Sequence, residues 1–189
     1  MIKLRLGVPS KSFDKLNLKK WLLVNFKINL LPNIHIVDRY MAAAAPLGIK
    51  NDELGLDYFI PEKDDVEKNW LPEAFQSEYV AFVIGAKFAT KRLTMERMIE
   101  LCDRINKPVV LVGGPEDAES GEKIEKFFQR HKNSEALEPD LLKLNKKTMV
   151  YNACSKFNLN QSDSLVKGAK YVFSHDTGLM HVAAAFKKQ

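Results

Sequence analysis

Residues 171–185, YVFSHDTGLMHVAAA, decide how the rest of the chain is read. Tyr171, Val172 and Phe173 form a short β-prone run. Ser174, His175, Asp176, Thr177 and Gly178 make a polar knot, and a helix-prone run from Leu179 to Ala185 follows. Strand, tight turn and helix start is the local grammar of a ligand site in an α/β protein, because the free N–H groups of a helix's first turn point at whatever lies beyond the strand end. Thr177 suits the N-cap, and Gly178 leaves the first helical N–H groups unobstructed. His181, one turn into the helix from Thr177, lies on the same side as the cap. An aspartate, a hydroxyl, bare N–H groups and an imidazole therefore converge on one spot. His175 reads as a satisfied core residue or a surface group.

Outward from this stretch the pattern is regular. YVAFVIGA (79–86) is a continuous apolar run of strand length, as expected for a parallel strand buried on both faces. A helix is expected from Leu93 to Ile105, a second strand from Pro108 to Val112, and a helix through Phe128. Residues 131–147 are polar and Leu-spotted, with no regular period. Thr148 to Tyr151 suits a short strand and Gln161 to Gly168 a helix, before the strand at Tyr171. Strands alternating with helices imply an α/β fold, a Rossmann-like parallel sheet with helices on both faces.

The N-terminal third differs. IKLRL (2–6) suits a short strand stopped by Gly7 and Pro9, and residues 14–29 set Leu16, Trp21, Leu22, Leu23, Phe26 and Ile28 among lysines in a rough helical period that Pro32 ends. Asp38 sits one position before a second apolar helix, RYMAAAAPLGI, which stops near Pro46 and Gly48. Lys50 to Lys68 turns acidic around Tyr58, Phe59 and Ile60, a composition shift that marks an interdomain crossing.

The 189 residues, 46% hydrophobic and 28% charged, are enough for one domain and part of a second. Cys102 and Cys154 form no CxxC pair and read as reduced thiols of a cytoplasmic protein. No apolar run approaches the ~20 residues of a membrane span, and the first residues lack the apolar core of a signal peptide. The net charge of +5 is concentrated early, in Lys3, Arg5, Lys11, Lys15, Lys19, Lys20 and Lys27. Those lysines lack the interleaved aromatics of a nucleic-acid groove, so nucleic acid is not an expected partner.

Ligands of an open parallel sheet bind beyond the carboxyl ends of its strands. Three such turns carry chemistry here. In GAKFATK (85–91), Gly85 allows close backbone approach, Thr90 offers a hydroxyl, and Lys87 and Lys91 place cations beside a helix start that invites an anion. In GGPEDAE (113–119), Glu116, Asp117 or Glu119 can accept from a ribose diol, although acids also belong in any first helical turn. A full GxGxxG is missing. The third turn is the opening stretch. Its Asp-Thr-Gly is also the catalytic triplet of aspartic proteases, but that chemistry needs an all-β setting with two copies, and here the triplet opens a helix.

GAKFATKRLTMERMIEL, KPVVLVGGPEDAESGEKI and GAKYVFSHDTGLMHVAAAF, in this order, resemble the heptosyltransferase-like glycosyltransferases, family 9 of the GT-B fold. The resemblance covers about half of the chain, from Tyr79 onward. It implies two Rossmann-like domains, the N-terminal one for the acceptor and the C-terminal one for a nucleotide-sugar donor. Residues 1–48 then end the acceptor domain, 49–68 are the linker, and 69–189 form an incomplete donor domain. By the same resemblance Thr90 and Lys91 contact the donor diphosphate and Glu119 or Glu116 the ribose. Asp176, Thr177 and Gly178 hold phosphate and sugar, with His181 supporting that turn.

The implied activity is inverting transfer of a sugar, a heptose, from a nucleotide diphosphate sugar such as ADP-heptose to a phosphorylated glycolipid of lipopolysaccharide-core type. No cofactor and no metal are implied. The family's candidate general base lies in a loop that precedes Met1, so no residue here takes that role. An alternative is a truncated nucleotide-binding module without catalytic activity; a third reading is a non-enzymatic interaction domain. An acceptor domain of this kind gives Lys15, Lys19, Lys20 and Lys27 a peripheral role at the anionic inner face of the cell membrane, at ~1 kcal/mol per residue close to the surface.

Overall fold

In the computed structural model, the residues described are 17–133 and 148–189. The expected strand at residues 2–6 and Lys15 lie outside them. The chain divides into two compact units, Met1–Gly55 and Leu56–Gln189.

The first unit carries α1 (Asn17–Phe26) and α2 (Ile36–Ala44), the latter running into a 3-10 turn, Ala45–Leu47, closed by Gly48 at φ 75°. The first helix stops well short of Pro32. Lys27 takes a left-handed φ of 58°, which ends a right-handed helix, and its N–H donates to Leu23 O at 3.1 Å. No residue of α1 is buried. At about 100° per residue Leu18, Val24 and Phe26 point in different directions, so the expected apolar stripe is instead spread round the helix. Asp38 lies inside the first turn of α2 and not ahead of it; the N-cap is His35, whose Nδ1 accepts from Val37 N–H at 3.3 Å.

The second unit is a four-stranded, wholly parallel sheet of β1 (Val80–Val83), β2 (Pro108–Val112), β3 (Met149–Asn152) and β4 (Tyr171–Ser174), in the order β3-β2-β1-β4. Val80 pairs with Val109 on one side and Tyr171 on the other. The connecting helices are α3 (Met95–Ile105), α4 (Ala118–Asn133), α5 (Leu159–Gly168) and α6 (Gly178–Ala185). The α/β architecture read from the sequence is the one observed.

Strand periodicity divides the core into two layers. Ala81, Val83, Val110 and Val112 pack with Leu165 and Val166 of α5 and with Val182 and Ala183 of α6. Phe82, Ile84, Val109 and Leu111 pack with Met98 and Cys102 of α3 and Ile124 and Phe128 of α4. All four residues of β1 are buried, which is why its sequence shows no polar alternation. Each such side chain contributes roughly 1.5–3 kcal/mol. The third helix starts at Met95, not Leu93, because the Thr94 hydroxyl caps it by accepting Arg97 N–H at 3.4 Å. The fourth runs past Phe128 to Asn133; residues 134–147 lie outside the described residues.

The acidic stretch from Leu56 to Leu71 is laid along α5. Tyr58 donates to Asp163 Oδ2 at 2.5 Å, Val66 N–H to Ser164 Oγ at 2.8 Å, and Ser164 Oγ to Asp65 at 2.6 Å. Lys167 Nζ reaches Asp65 at 3.0 Å, and Asn158 and Asn160 each donate to Asp64 at 2.9 Å. Asp163 is buried, and its Oδ1 accepts nothing from the described residues. Burial pushes the Asp163 carboxyl above its ordinary value, against the hydrogen bond from Tyr58.

Candidate functional site

The strand order creates one gap. From β1 the chain steps to β2 and β3 on one side, then returns to lay β4 on the other. The helix after β1 covers one face of the sheet and the helix after β4 the opposite face. The two connections thus part at the carboxyl ends of β1 and β4, the topological switch point where open α/β sheets bind ligands.

Two of the three expected turns meet there. Thr90 and Lys91 lie in an exposed 3-10 turn, Ala89–Lys91, and Asp176 follows β4. The Lys91 ammonium donates to Asp176 Oδ2 in an ion pair, with the two side chains 41% and 61% exposed. The Lys91 cation thus faces an acidic side chain of the chain itself. That hydrogen bond, with the charge of Lys91, holds the Asp176 carboxyl below its ordinary range. At neutral pH Asp176 is an acceptor only.

Beside this pair the start of α6 is open. Thr177 is its N-cap residue by backbone geometry, but its hydroxyl makes no capping bond and lies 3.5 Å from Ser174 Oγ, contrary to the expected side-chain cap. A Cβ placed on Gly178 meets nothing within 4 Å among the described residues. His181 is exposed, and its charge contributes to lowering Asp176.

The turn after β2 behaves differently. Asp117 is 2% exposed, accepts Gly114 N–H at 3.0 Å, and pairs with Arg92 at 3.2 Å. A Cβ on Gly85 would lie 2.4 Å from Asp117 Oδ2, and one on Gly113 would lie 2.8 Å from Asp117 Cβ. Both glycines, read as places for a ligand's approach or for a tight turn, make room for this aspartate. Glu116 is exposed and folds over Gly114, where a Cβ would meet its Oε2 at 2.5 Å. Glu119 pairs with Lys123 at 2.6 Å, a contact that holds its carboxyl below the ordinary range. No hydrogen bond joins Glu116 or Glu119 to the Lys91–Asp176 pair among the described residues.

Glu119 also lines a cavity of about 420 Å³ at the end of β3, with Glu122, Glu125, Asn152, Cys154 and Lys156. Both cysteines are free and buried, and burial pushes each thiol up to about 12. Among the described residues, no group of three or more His, Cys, Asp or Glu side chains is placed to hold a metal ion.

Two residues acquire roles that their sequence positions do not announce. Arg92 donates through Nε to Ala86 O at 2.6 Å while its other end meets Asp117, tying the turn after β1 to the turn after β2. His175 is buried, with Nδ1 3.1 Å from Ile84 O and Nε2 accepting Leu93 N–H at 3.1 Å. The only sequence signal for Arg92 is a third cation in GAKFATKR, and for His175 its place between a strand and Asp176.

Solved structures share this architecture. The ADP-heptose LPS heptosyltransferase II of E. coli superimposes with a TM-score of 0.57 at 24% identity, over 81% of this chain and 46% of that one. The family 9 glycosyltransferase of Veillonella parvula DSM 2008 gives 0.59 at 22% identity, over 83% and 42%. E. coli heptosyltransferase WaaC with ADP-2-deoxy-2-fluoro heptose gives 0.56 at 22% identity, over 85% and 45%. The chain thus spans less than half the length of each of these GT-B structures. No curated protein matches it significantly. The model of glycosyltransferase family 9 (heptosyltransferase) matches residues 5–189, so the chain belongs to that family.

Proposed function

We propose that Leu56–Gln189 is the donor-binding part of a glycosyltransferase that draws a sugar from a nucleotide diphosphate sugar, and that Met1–Gly55 belongs to its acceptor side. The observation that carries this reading is the Lys91–Asp176 pair at the switch point, beside a helix start with an unused hydroxyl cap. The family's heptosyltransferase description and a relative solved with an ADP-heptose analogue support a heptose donor carried on ADP.

In the inverting reaction an acceptor hydroxyl attacks the anomeric carbon and gives up its proton to a base outside this donor part, while the bond to the diphosphate oxygen breaks. Negative charge develops on the departing diphosphate. Lys91 and the first-turn N–H groups of α6 neutralise it, and the hydroxyls of Thr90 and Thr177 donate to phosphate oxygens. Asp176, ionised, accepts from sugar hydroxyls and does not act as the general base. Gly178 lets the donor approach the backbone, His181 supports that turn, and Glu116 or Glu119 accepts from the ribose.

The acceptor is a phosphorylated glycolipid of lipopolysaccharide-core type. Lys19, Lys20 and Lys27 are exposed and basic, as contact with an anionic leaflet requires. Co-sedimentation that rises with the anionic lipid content of liposomes supports that contact; flat co-sedimentation removes it.

Calorimetric titration of the chain with ADP and ADP-heptose tests the donor reading. Saturable binding that is lost in Lys91→Ala and in Asp176→Ala is the expected result; undiminished binding in both variants overturns the site. ADP release matched to acceptor glycosylation establishes transfer, whereas binding with no release leaves a nucleotide-binding module.

A further inference from the structure

The ion pair proposed above to meet the donor stands on a loop and a strand end that share few direct bonds. Besides the pair itself, one further side chain joins them among the described residues. His175 follows β4 and is buried, its ring edge-on to Phe82 with centroids 5.9 Å apart. Its Nδ1 lies 3.1 Å from the carbonyl oxygen of Ile84, just past β1. Its Nε2 lies 3.1 Å from the amide nitrogen of Leu93, two residues past Lys91. A carbonyl only accepts and an amide N–H only donates, so the ring serves both solely as the neutral tautomer with its proton on Nδ1.

We propose that His175 is a positioning residue: as the Nδ1-protonated tautomer it clamps the Lys91 loop to the end of β1, and so sets where the Lys91 ammonium meets Asp176. The stretch 85–93 is held at its start by Arg92, through Ala86 O, and at its end by His175, through Leu93 N–H. Lys91 lies between these two ties; its backbone N–H donates to Phe88 O at 3.0 Å inside the same turn, and its ammonium meets Asp176. Losing the acceptor for Leu93 frees the C-terminal tie. Lys91 then meets the diphosphate from a wider spread of positions, which weakens donor binding through ordering cost rather than through a lost contact. This consequence rests on the donor reading; the clamp itself does not.

Three variants of the full chain separate the two. His175→Gln keeps an acceptor near the Nε2 position, His175→Phe keeps ring volume with no acceptor, and Lys91→Ala removes the cation. The imidazole ¹⁵N resonances of the wild type should show a protonated Nδ1 and a bare Nε2. Hydrogen exchange at the Leu93 amide should be roughly tenfold faster in His175→Phe and near wild type in His175→Gln. ADP affinity should fall about five- to tenfold in His175→Phe and recover within about threefold in His175→Gln, against the loss of saturable binding in Lys91→Ala. An Nε2-protonated ring overturns the proposal, as does equal Leu93 exchange in the His175→Phe and His175→Gln variants. If wild type binds no ADP while tautomer and exchange are as expected, the clamp stands and the donor reading falls.

Discussion

The turns after β2 and β4 are built from the same residue types and put them to opposite uses. Each holds an aspartate near glycine at a helix start. After β2, Asp117 turns inward, and Gly85 and Gly113 lack side chains because its carboxylate and Cβ occupy that space. After β4, Asp176 turns outward to Lys91, and Gly178 leaves a space that no atom of the described residues fills. A glycine beside a strand end signals close approach in both cases; whose approach depends on whether the chain itself supplies the atom.

Asp117→Ala breaks the comparison on its structural side and carries the largest expected effect. It strands Arg92 and the Gly114 N–H around a buried hole, and costs about 3 kcal/mol of stability, read as a fall in urea midpoint at constant slope. Gly85→Ala comes next, at about 2 kcal/mol, because its Cβ collides with a carboxylate held on two sides. Gly178→Ala should do the reverse. Its melting temperature stays at the wild-type value, while ADP affinity by titration drops roughly tenfold, about 1.4 kcal/mol. A destabilised Gly178→Ala with unchanged affinity would reverse the assignment of the two turns.

Asp163 sharpens the comparison, as an inward carboxylate outside both turns. Its folded-state pKa is raised by burial, so between the unfolded value and the raised one the native state holds a proton that the unfolded chain lacks. Stability from this group therefore falls as pH rises through that window. Asp64, Asp65 and Asp176, all lowered, act in the opposite sense: what they contribute is present above the unfolded carboxylate pKa and fades as pH falls toward their folded values. The difference in unfolding free energy between wild type and Asp163→Asn, followed from about pH 4 to about pH 7, isolates the first slope. The smallest effect belongs to Glu116→Gln, expected to change ADP affinity about twofold or less if Glu119 is the ribose acceptor. A larger loss exchanges the two.

The residues tell much of this in advance, and where they fail the reason is spatial. VAFV without polar alternation announces a strand covered on both faces, and Asp-Thr-Gly before an alanine-rich run announces a helix start beside a strand. Neither reveals that residue 175 stands next to residues 84 and 93, because that follows from the order β3-β2-β1-β4 and not from any local pattern. The inward turn of Asp117 is hidden for the same reason: its partner Arg92 belongs to the neighbouring strand's turn. The early stop of α1 has another cause. Lys27 adopts a left-handed conformation that composition assigns to Gly or Asn, so the eye runs on to Pro32.

The stretch laid along α5 has a consequence in time. Tyr58 and Asp163 are 105 residues apart in the chain. At ~10 residues per second, a ribosome needs on the order of ten seconds to deliver the second partner after the first. Through that interval Leu71 and Phe75, which end buried against the sheet, have no finished surface to rest on. The central strand β1 waits almost as long for β4. This unit is thus closed only when its last-made elements arrive, and the stretch from Leu56 to Phe75 waits longest for its partners during synthesis.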